Sequence, residues 1–283
     1  MPPQRSSTST NKIRQLSSSI SSERSLIDDG QGSLPEDFSS QDDYVTILGF
    51  GSLLSEKSSR STFPDLKNFR LGKVNNYCRV FGHPASIFFS RDIANYDTKE
   101  MSSLSAEYRP DSGFICSVFE VSNENGAFMS KTQSDAKGSE LVASMEFRKR
   151  EEEFDIIMVP YEELEEHRYK SNDGSSFSGI LCTRSTDENY LEQWGEERFD
   201  LNYKKYGIDT IWNWSKDSDL RPCGPYLRHC VLAAKNMGSE CYNSFMDETY
   251  LVDRVTTIRD YLEQYPEVMD TLPPPEHANR YGG

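Results

Sequence analysis

The order of secondary structure along the chain is the feature that most limits its fold. Apolar, β-branched or alternating segments, typical of strands, dominate as far as residue 185. These strand-like segments are YVTILGF (44–50), FRLGKVNNYCRVFGH (69–83), LSAEYRP (104–110), GFICSVFEV (113–121), FDIIMVP (154–160) and FSGILCTRS (177–185). A Pro-Asp-Ser-Gly turn signal separates the third from the fourth.

Helix-like segments, several with cap signals at their ends, lie mostly after these strands; the first of them precedes the last two strands. The segments with helical spacing are ELVASMEFRKREE (140–152), DENYLEQWGEERFDLNYKKYG (187–207), PYLRHCVLAAKNMG (225–238) and DRVTTIRDYLEQYP (253–266). Strands that come first, with helices around and after them, predict an α+β fold. We expect a small closed or strongly curved mixed β-barrel with surrounding helices and further helices at the C-terminus.

The first 42 residues differ in composition from the rest of the chain. Serine dominates them and aromatic residues are almost absent, so they cannot form a core. We expect a disordered Ser-rich tail over 1–42, a folded domain over 43–265 and a Pro-rich extension over 266–283. The basic start of the tail also fits a transit peptide, and serines near Arg5 and Arg24 fit phosphorylation sites.

Charge and cysteine content exclude several classes of partner. The formal net charge of -15 argues against binding to nucleic acid or to an anionic membrane, since both require a positive surface. No apolar run reaches the roughly 18 residues of a membrane-spanning helix. The six cysteines show no CxxC spacing and no Cys/His cluster occurs, so we expect free thiols, no metal and a cytoplasmic location. An organellar location is the alternative if the tail is a transit peptide.

The first predicted strand ends in a glycine-rich turn, GFGSLL (49–54). Backbone N–H groups that are left unpaired at such a break carry partial positive charge and suit a carboxylate or phosphate. Glycine lets a ligand approach the backbone closely. The stretch lacks the Lys-Ser/Thr of a Walker A loop and the third glycine of the dinucleotide fingerprint. An anion-binding loop and a plain structural turn therefore both fit it.

A second feature lies in FRKREEEFDIIMVPY (147–161), where Glu151 stands between a helical segment and an apolar strand. Most glutamates in acidic runs are solvated. A carboxylate at the rim of a pocket differs, because partial burial raises its pKa and makes it useful as a base.

Together these two features resemble the γ-glutamylcyclotransferase superfamily, including its ChaC-like members. In that superfamily a strand runs into a Tyr-Gly-Ser loop, and a glutamate often preceded by arginine and followed by an aromatic residue comes after a central helix. Here residues 49–54 match the loop, and Arg150, Glu151 and Phe154 match the second pattern. Segments of the C-terminal helices, such as GPYLRHCVLAAKNMG (224–238), extend the resemblance, which covers roughly residues 44–262.

The resemblance implies an enzyme that converts the γ-glutamyl group of a small-molecule substrate, possibly glutathione, to 5-oxoproline and releases the amine. The substrate's own α-amine would attack its γ-carbonyl, so neither a metal nor an organic cofactor is implied. Glu151 would be the general base. The backbone amides of the loop would hold the α-carboxylate. The substrate-binding residues so implied are Gly49, Phe50, Gly51, Ser52 and Leu53.

Several alternatives stay open at this point. Phe50 replaces the tyrosine of the superfamily loop and removes its hydroxyl group, which also fits a non-catalytic binding module of the same fold. A shift of one residue would make Glu152 the base. Otherwise we expect Glu152 and Glu153 to be solvated, and Tyr226 to line the pocket. A regulatory role exerted through the serine tail is a third possibility, and no protein partner is predicted.

Overall fold

The computed structural model describes residues 44–122, 128–131, 140–143, 145–164 and 177–282, and the predicted tail lies outside these ranges. The strands in these ranges are β1 (Tyr44–Gly49), β2 (Lys67–Pro84), β3 (Glu100–Ser122), β4 (Phe128–Lys131), β5 (Glu140–Ala143), β6 (Asp155–Glu163), β7 (Phe177–Thr183), β8 (Arg221–Pro222) and β9 (Thr249–Leu251). The helices in these ranges are α1 (Glu56–Thr62), α2 (Ser86–Ser90), α3 (Met145–Arg150), α4 (Asp187–Trp194), α5 (Glu196–Asn202), α6 (Gly224–Asn236), α7 (Ser239–Asp247), α8 (Ile258–Gln264) and α9 (Ala278–Tyr281).

Five strands close into a barrel. Neighbouring strands pair in the order β3-β1-β7-β6-β2, and β2 pairs with β3 to complete the ring. The β1–β7 pair is parallel and the other pairs of the ring are antiparallel. The short strands β8 and β9 add parallel pairings to β3 and β2. The predicted fold class is thus confirmed: the fold is α+β, with a small closed mixed barrel and helices at the C-terminus.

The strands β2 and β3 form the longest pairing of the barrel, from Lys67 opposite Glu120 to Pro84 opposite Ser102. Their register shifts near Asn76, which has a positive φ of 63°. The predicted turn at 110–113 lies opposite this irregularity and bends the strand without ending it. The two strands predicted at 104–110 and 113–121 are therefore one strand.

The main core joins the barrel to α6 and α7. Residues of α6 at helical spacing point into it, and Phe245 of α7 is fully buried beside them. Each large apolar side chain removed from water stabilises the fold by roughly 1.5–3 kcal/mol. The buried members of α6 in this core are Leu227, Cys230, Val231, Ala233 and Ala234. This packing places one end of α6 beside the turn that follows β1.

Two predicted helices differ from the observed ones. The segment from residue 140 begins as strand β5, and helix α3 starts only at Met145. The long helix predicted from Asp187 is two helices, because Gly195 has a φ of 81° and ends the first of them. Helix α7 was not predicted.

The C-terminal residues pack onto the domain. Val268 is buried in the core that contains α6, and Tyr281 of α9 is buried beside Cys223. The boundary at residue 265 stays a prediction. All six cysteines are free, and Cys182 alone among them is half-buried rather than buried. Among the described residues, no helix is both long and apolar enough to cross a lipid bilayer.

Candidate active site

The glycine-rich loop turns tightly after β1. A 3₁₀ turn over Ser52–Leu54 follows at once, and the N–H of Leu54 donates to the carbonyl oxygen of Gly51 at 3.0 Å. A Cβ on Gly49 would lie 2.5 Å from the hydroxyl of Ser117. A Cβ on Gly51 would lie 2.5 Å from the hydroxyl of Tyr226. Neither position has room for a Cβ without a shift of its neighbours, so glycine fits both the end of β1 and the turn after it.

Helix α6 holds the loop from the other side. The Tyr226 hydroxyl hydrogen-bonds the backbone of Ser52 and also the thiol of Cys230. The ring of His229 lies 3.2 Å from the hydroxyl of Ser58 and hydrogen-bonds the Ser52 backbone. Burial lowers the pKa of His229 to about 4, so the ring is neutral near pH 7. Tyr226 lines the pocket, as the sequence predicted.

Glu151 lies at the turn between α3 and β6. Its Oε1 is 3.0 Å from the guanidinium Nε of Arg150, and its side chain is 16% exposed. Burial, and then the charge of Glu151, raises the pKa of Cys182. After burial and Cys230, the same charge contributes to the raised pKa of Tyr226. Glu151 is therefore electrostatically close to two side chains of the pocket.

Glu152 points away from this pocket and is buried, contrary to the expectation that it is solvated. It forms an ion pair with Arg198, and the amide of Asn202 donates to it at 2.8 Å. The hydroxyl of Tyr190 lies 3.2 Å from the same carboxylate. These partners lie on or beside α4 and α5, so Glu152 ties those helices to the turn.

Glu153 is also buried, contrary to the same expectation, and it lines the pocket. The N–H and hydroxyl of Ser86 each donate to its Oε1 at 3.0 Å, and the hydroxyl of Tyr203 donates at 2.6 Å. Burial, and then the neighbouring charge of Glu152, raises the pKa of Glu153 to about 7. This carboxyl group therefore exchanges its proton near neutral pH.

One cavity of about 140 Å³ brings these parts together. The loop, Glu151, Glu153 and Tyr226 all line it. All of the predicted site residues thus face a single cavity, while their roles stay predictions. The ring of Phe50 packs edge-on against that of Phe114, with centroids 5.8 Å apart. The site residues implied by the resemblance that line the cavity are Gly49, Phe50, Gly51, Ser52, Leu53 and Glu151.

Several solved structures are similar to this chain, whereas no protein-family model matches it and no curated protein matches it in sequence. The chain is similar to γ-glutamyl cyclotransferases. A glutathione-specific γ-glutamyl cyclotransferase from yeast shares 14% identity over 81% of this chain and 96% of that chain, with a TM-score of 0.40. Another γ-glutamyl cyclotransferase shares 9% identity over 62% of this chain and 92% of that chain, with a TM-score of 0.33.

The uncharacterized human protein loc79017 shares 9% identity over 62% of this chain and 92% of that chain, with a TM-score of 0.34.

Arginines surround the mouth of the cavity. Arg150 and Arg280 line it, and Arg280 is exposed to solvent. Tyr281 lines the cavity too, and Arg91 donates to its hydroxyl at 2.7 Å. The sequence analysis missed Arg280 and Tyr281, because nothing in the Pro-rich C-terminal composition indicates that the segment returns to the barrel.

Metal ligands were not predicted from the sequence. Within the residues that the structure describes, no group of three or more His, Cys, Asp or Glu side chains is placed to hold a metal ion. The charged groups facing the cavity are the two carboxyl groups and the arginines at its mouth. Such a set suits proton transfer and the binding of anionic groups.

Proposed function

We propose that the chain is a γ-glutamylcyclotransferase-type enzyme, which converts a γ-glutamyl peptide or amine to 5-oxoproline and the free amine. The observation that carries this proposal is that a glycine-rich loop and two carboxyl groups, Glu151 and Glu153, line one small cavity. A tethered nucleophile needs orientation and proton transfer more than it needs a reactive protein side chain. The cavity offers groups for both.

The loop is the proposed holder of the substrate. The backbone N–H groups of Gly51, Ser52 and Leu53 would donate to the α-carboxylate, and the hydroxyl of Ser52 is a further donor. Tyr226 and His229 support this assignment, because their hydrogen bonds fix the backbone of Ser52 from helix α6. A loop that is held in place before the substrate arrives loses less entropy on binding.

The chemical step is an intramolecular aminolysis. The α-nitrogen of the substrate bonds to the γ-carbonyl carbon, and the amide bond to the leaving nitrogen breaks. The α-nitrogen loses two protons as it changes from an ammonium group to the N–H of the ring, one before it attacks and one afterwards. The leaving nitrogen takes up one proton to depart as the free amine, and the other passes to solvent, so a single carboxylate can relay both in turn. No water enters the products, and neither a metal nor an organic cofactor is needed for the balance.

We assign the proton transfer to Glu151. Arg150 orients its carboxylate, and its partial exposure leaves it accessible to the substrate's ammonium group. Glu153 is the competing candidate, since its pKa of about 7 suits a general base. Its Oε1 already accepts hydrogen bonds from Ser86 and Tyr203, which fix it in place. This arrangement favours a supporting role for Glu153.

The size of the cavity supports a compact reacting group. At about 140 Å³ it is smaller than the roughly 300–1,000 Å³ that is common for pockets holding drug-sized ligands. A γ-glutamyl head group is compact, and the leaving group would lie toward the mouth. Phe50 fills its position with an apolar ring against Phe114, so the substrate would receive no hydroxyl contact from it.

Release of 5-oxoproline from a panel of γ-glutamyl compounds tests this proposal. The purified full chain should form 5-oxoproline from glutathione, from γ-glutamyl amino acids, or from both, and EDTA should not inhibit it. Binding by calorimetry without any product would instead support the non-catalytic binding module. Neither binding nor product, with the protein folded, would contradict both.

We also propose a cytoplasmic location, because free cysteines that are mostly buried are typical of a reducing compartment. Imaging of the full chain carrying a C-terminal fluorescent protein tests this. Accumulation in an organelle would instead support the transit-peptide interpretation of residues 1–42.

A further inference from the structure

Two arginines from distant parts of the chain, Arg150 and Arg280, line the cavity, and a third, Arg91, contacts the cavity-lining Tyr281. Arg150 is the last residue of α3, Arg280 lies in α9, and Arg91 follows α2. Tyr281 joins two of them, because Arg91 donates to its hydroxyl at 2.7 Å and Arg280 also hydrogen-bonds it. The guanidinium carbon of Arg91 lies 5.8 Å from the centre of the Tyr281 ring. We call Arg91, Arg150 and Arg280 the arginine rim.

The positive charge of the arginine rim is only partly balanced. Arg150 has an ion pair with Glu151, but its Nη1 is buried without a hydrogen-bond partner. Among the described residues, neither Arg91 nor Arg280 has a carboxylate within ion-pair distance. Arg280 is only partly removed from water, and this partial burial, followed by repulsion from Arg91 and Arg150, lowers its pKa.

This local charge is unusual for the protein, whose formal net charge is -15. Like charges that are held together at the mouth of a cavity raise the free energy of the unbound site, and a bound anion relieves the repulsion. Guanidinium groups pair with carboxylates through short, charge-assisted hydrogen bonds. Arg280 lines the cavity without a carboxylate within ion-pair distance among the described residues, so its guanidinium group offers such donors.

We propose that the arginine rim binds the carboxylate of the leaving amino acid or peptide, so that the preferred substrates are γ-glutamyl amino acids and short γ-glutamyl peptides. γ-Glutamylamines, which lack this carboxylate, are then poor substrates. The inference rests on the proposed function. It assigns the two ends of the substrate to different residues: the loop after β1 binds the γ-glutamyl end, and Arg150 and Arg280 bind the leaving-group end.

The test compares γ-glutamyl-alanine with γ-glutamyl-alaninamide, which differ only in the carboxylate. Wild-type protein should show a kcat/KM about 10- to 100-fold higher for the acid, as expected for hydrogen bonds to a charged group. Arg280→Gln should reduce this ratio to within about threefold of one, and Arg280→Lys should keep part of it. Because the ratio compares two substrates of one variant, loss of folded protein does not alter it.

Arg259→Gln is the matched control. It removes the same charge from an exposed ion pair with Asp247 outside the cavity, so the ratio should stay at the wild-type value. Raising the salt concentration should lower the wild-type ratio and leave that of Arg280→Gln unchanged.

The contrary outcomes are distinct. Equal kcat/KM for acid and amide in the wild type, or an equal loss on both substrates in Arg280→Gln, overturns the arginine-rim proposal and leaves the cyclotransferase activity in place. If neither compound yields 5-oxoproline, the proposed function fails. Calorimetric Kd values for γ-glutamyl-alanine and γ-glutamyl-alaninamide then test whether the arginine rim binds the carboxylate. The rim proposal is supported if wild-type protein binds the acid more tightly than the amide and Arg280→Gln removes this difference. Any other result overturns the rim proposal.

Discussion

Three adjacent glutamates have three different environments in this structure. Glu151 faces the cavity in an ion pair, Glu152 is tied to Arg198 away from it, and Glu153 is buried against Ser86. Ionisation depends on these surroundings rather than on residue type. The chemistry of the site therefore has to be tested one carboxyl group at a time.

We expect Glu151→Gln to lower kcat for 5-oxoproline release by about 100-fold or more, the effect of losing a general base. Glutamine keeps the size of the side chain but cannot take up the proton. Substrate Kd should change little, because the loop amides are unaltered. Timed assays of 5-oxoproline release measure kcat, and calorimetry measures the substrate Kd.

Two further variants show whether the loss is specific to Glu151. Glu152→Gln should lower the melting temperature, because it weakens a buried ion pair, but its kcat should stay within a few-fold of wild type. If Glu153→Gln abolishes turnover and Glu151→Gln does not, the base is Glu153 and the assignment made here is wrong.

Glu153 should make stability depend on pH. Its pKa is about 7 in the folded protein and near 4.5 when exposed, so the folded state binds the proton more tightly. The stability gained from this is complete below about pH 4.5 and is lost as pH rises through about 7. Relative to Glu153→Gln, the wild-type free energy of unfolding should fall by up to about 3 kcal/mol over this range.

Chemical denaturation of both proteins between pH 4.5 and 8 measures this difference. Parallel curves for wild type and Glu153→Gln would contradict the raised pKa.

The sequence predicted the residues of the loop and one carboxylate of the cavity, but not the environment of its neighbours. Glu152 and Glu153 carry the same side chain as Glu151, and their burial depends on Arg198, Ser86 and Tyr203, which come from other segments. Such partners are brought together only by the tertiary fold. A single sequence contains no local signal for them.

At the scale of elements, helix α6 has the largest influence on the site. It packs into the barrel core through one face and presents Tyr226 and His229 to the loop. Its start and end were predictable, since Pro225 and Gly238 mark them. The break at Gly195 was harder to predict from the sequence, because an isolated glycine is tolerated in many helices.

We expect His229→Ala to raise KM about two- to tenfold with a smaller change in kcat. The variant removes hydrogen bonds to Ser58 and to the backbone of Ser52, and each such bond contributes modestly to holding the loop. His277→Ala is the matched control, because that residue does not line the cavity. A lower melting temperature with unchanged KM would show that His229 only packs.

The strand β3 shows why pairing overrides local signals. A Pro-Asp-Ser-Gly sequence favours a turn, but β2 pairs with β3 on both sides of it and the chain continues as one strand. Hydrogen bonds to partners 18 to 53 residues away are absent from local propensities, so β-structure is harder to predict in detail than α6.

At the scale of the whole molecule, the two ends of the chain differ. Residues 266–281 bury Val268 and Tyr281 and bring Arg280 to the cavity. Deleting 266–283 should lower the melting temperature by about 5 °C or more, as expected for the loss of two buried apolar side chains. It should also lower kcat/KM for γ-glutamyl-alanine.

Deletion of 1–42 is the companion experiment. A serine-rich segment without core residues should contribute little, so the melting temperature and turnover should match those of the full chain. Differential scanning fluorimetry and the 5-oxoproline assay measure both. A large drop on removing 1–42 would show that the tail packs on the domain.

Closure of the five-strand ring also affects how quickly backbone protons exchange with heavy water. Val74 of β2 pairs with Phe114 of β3 on one side and with Tyr161 of β6 on the other, near the middle of the longest ladder. Fraying at strand ends cannot expose such amides, so their deuterium uptake follows the opening of the entire barrel. The slowest-exchanging amides thus provide a direct measure of the global free energy of unfolding, against which every variant above can be placed.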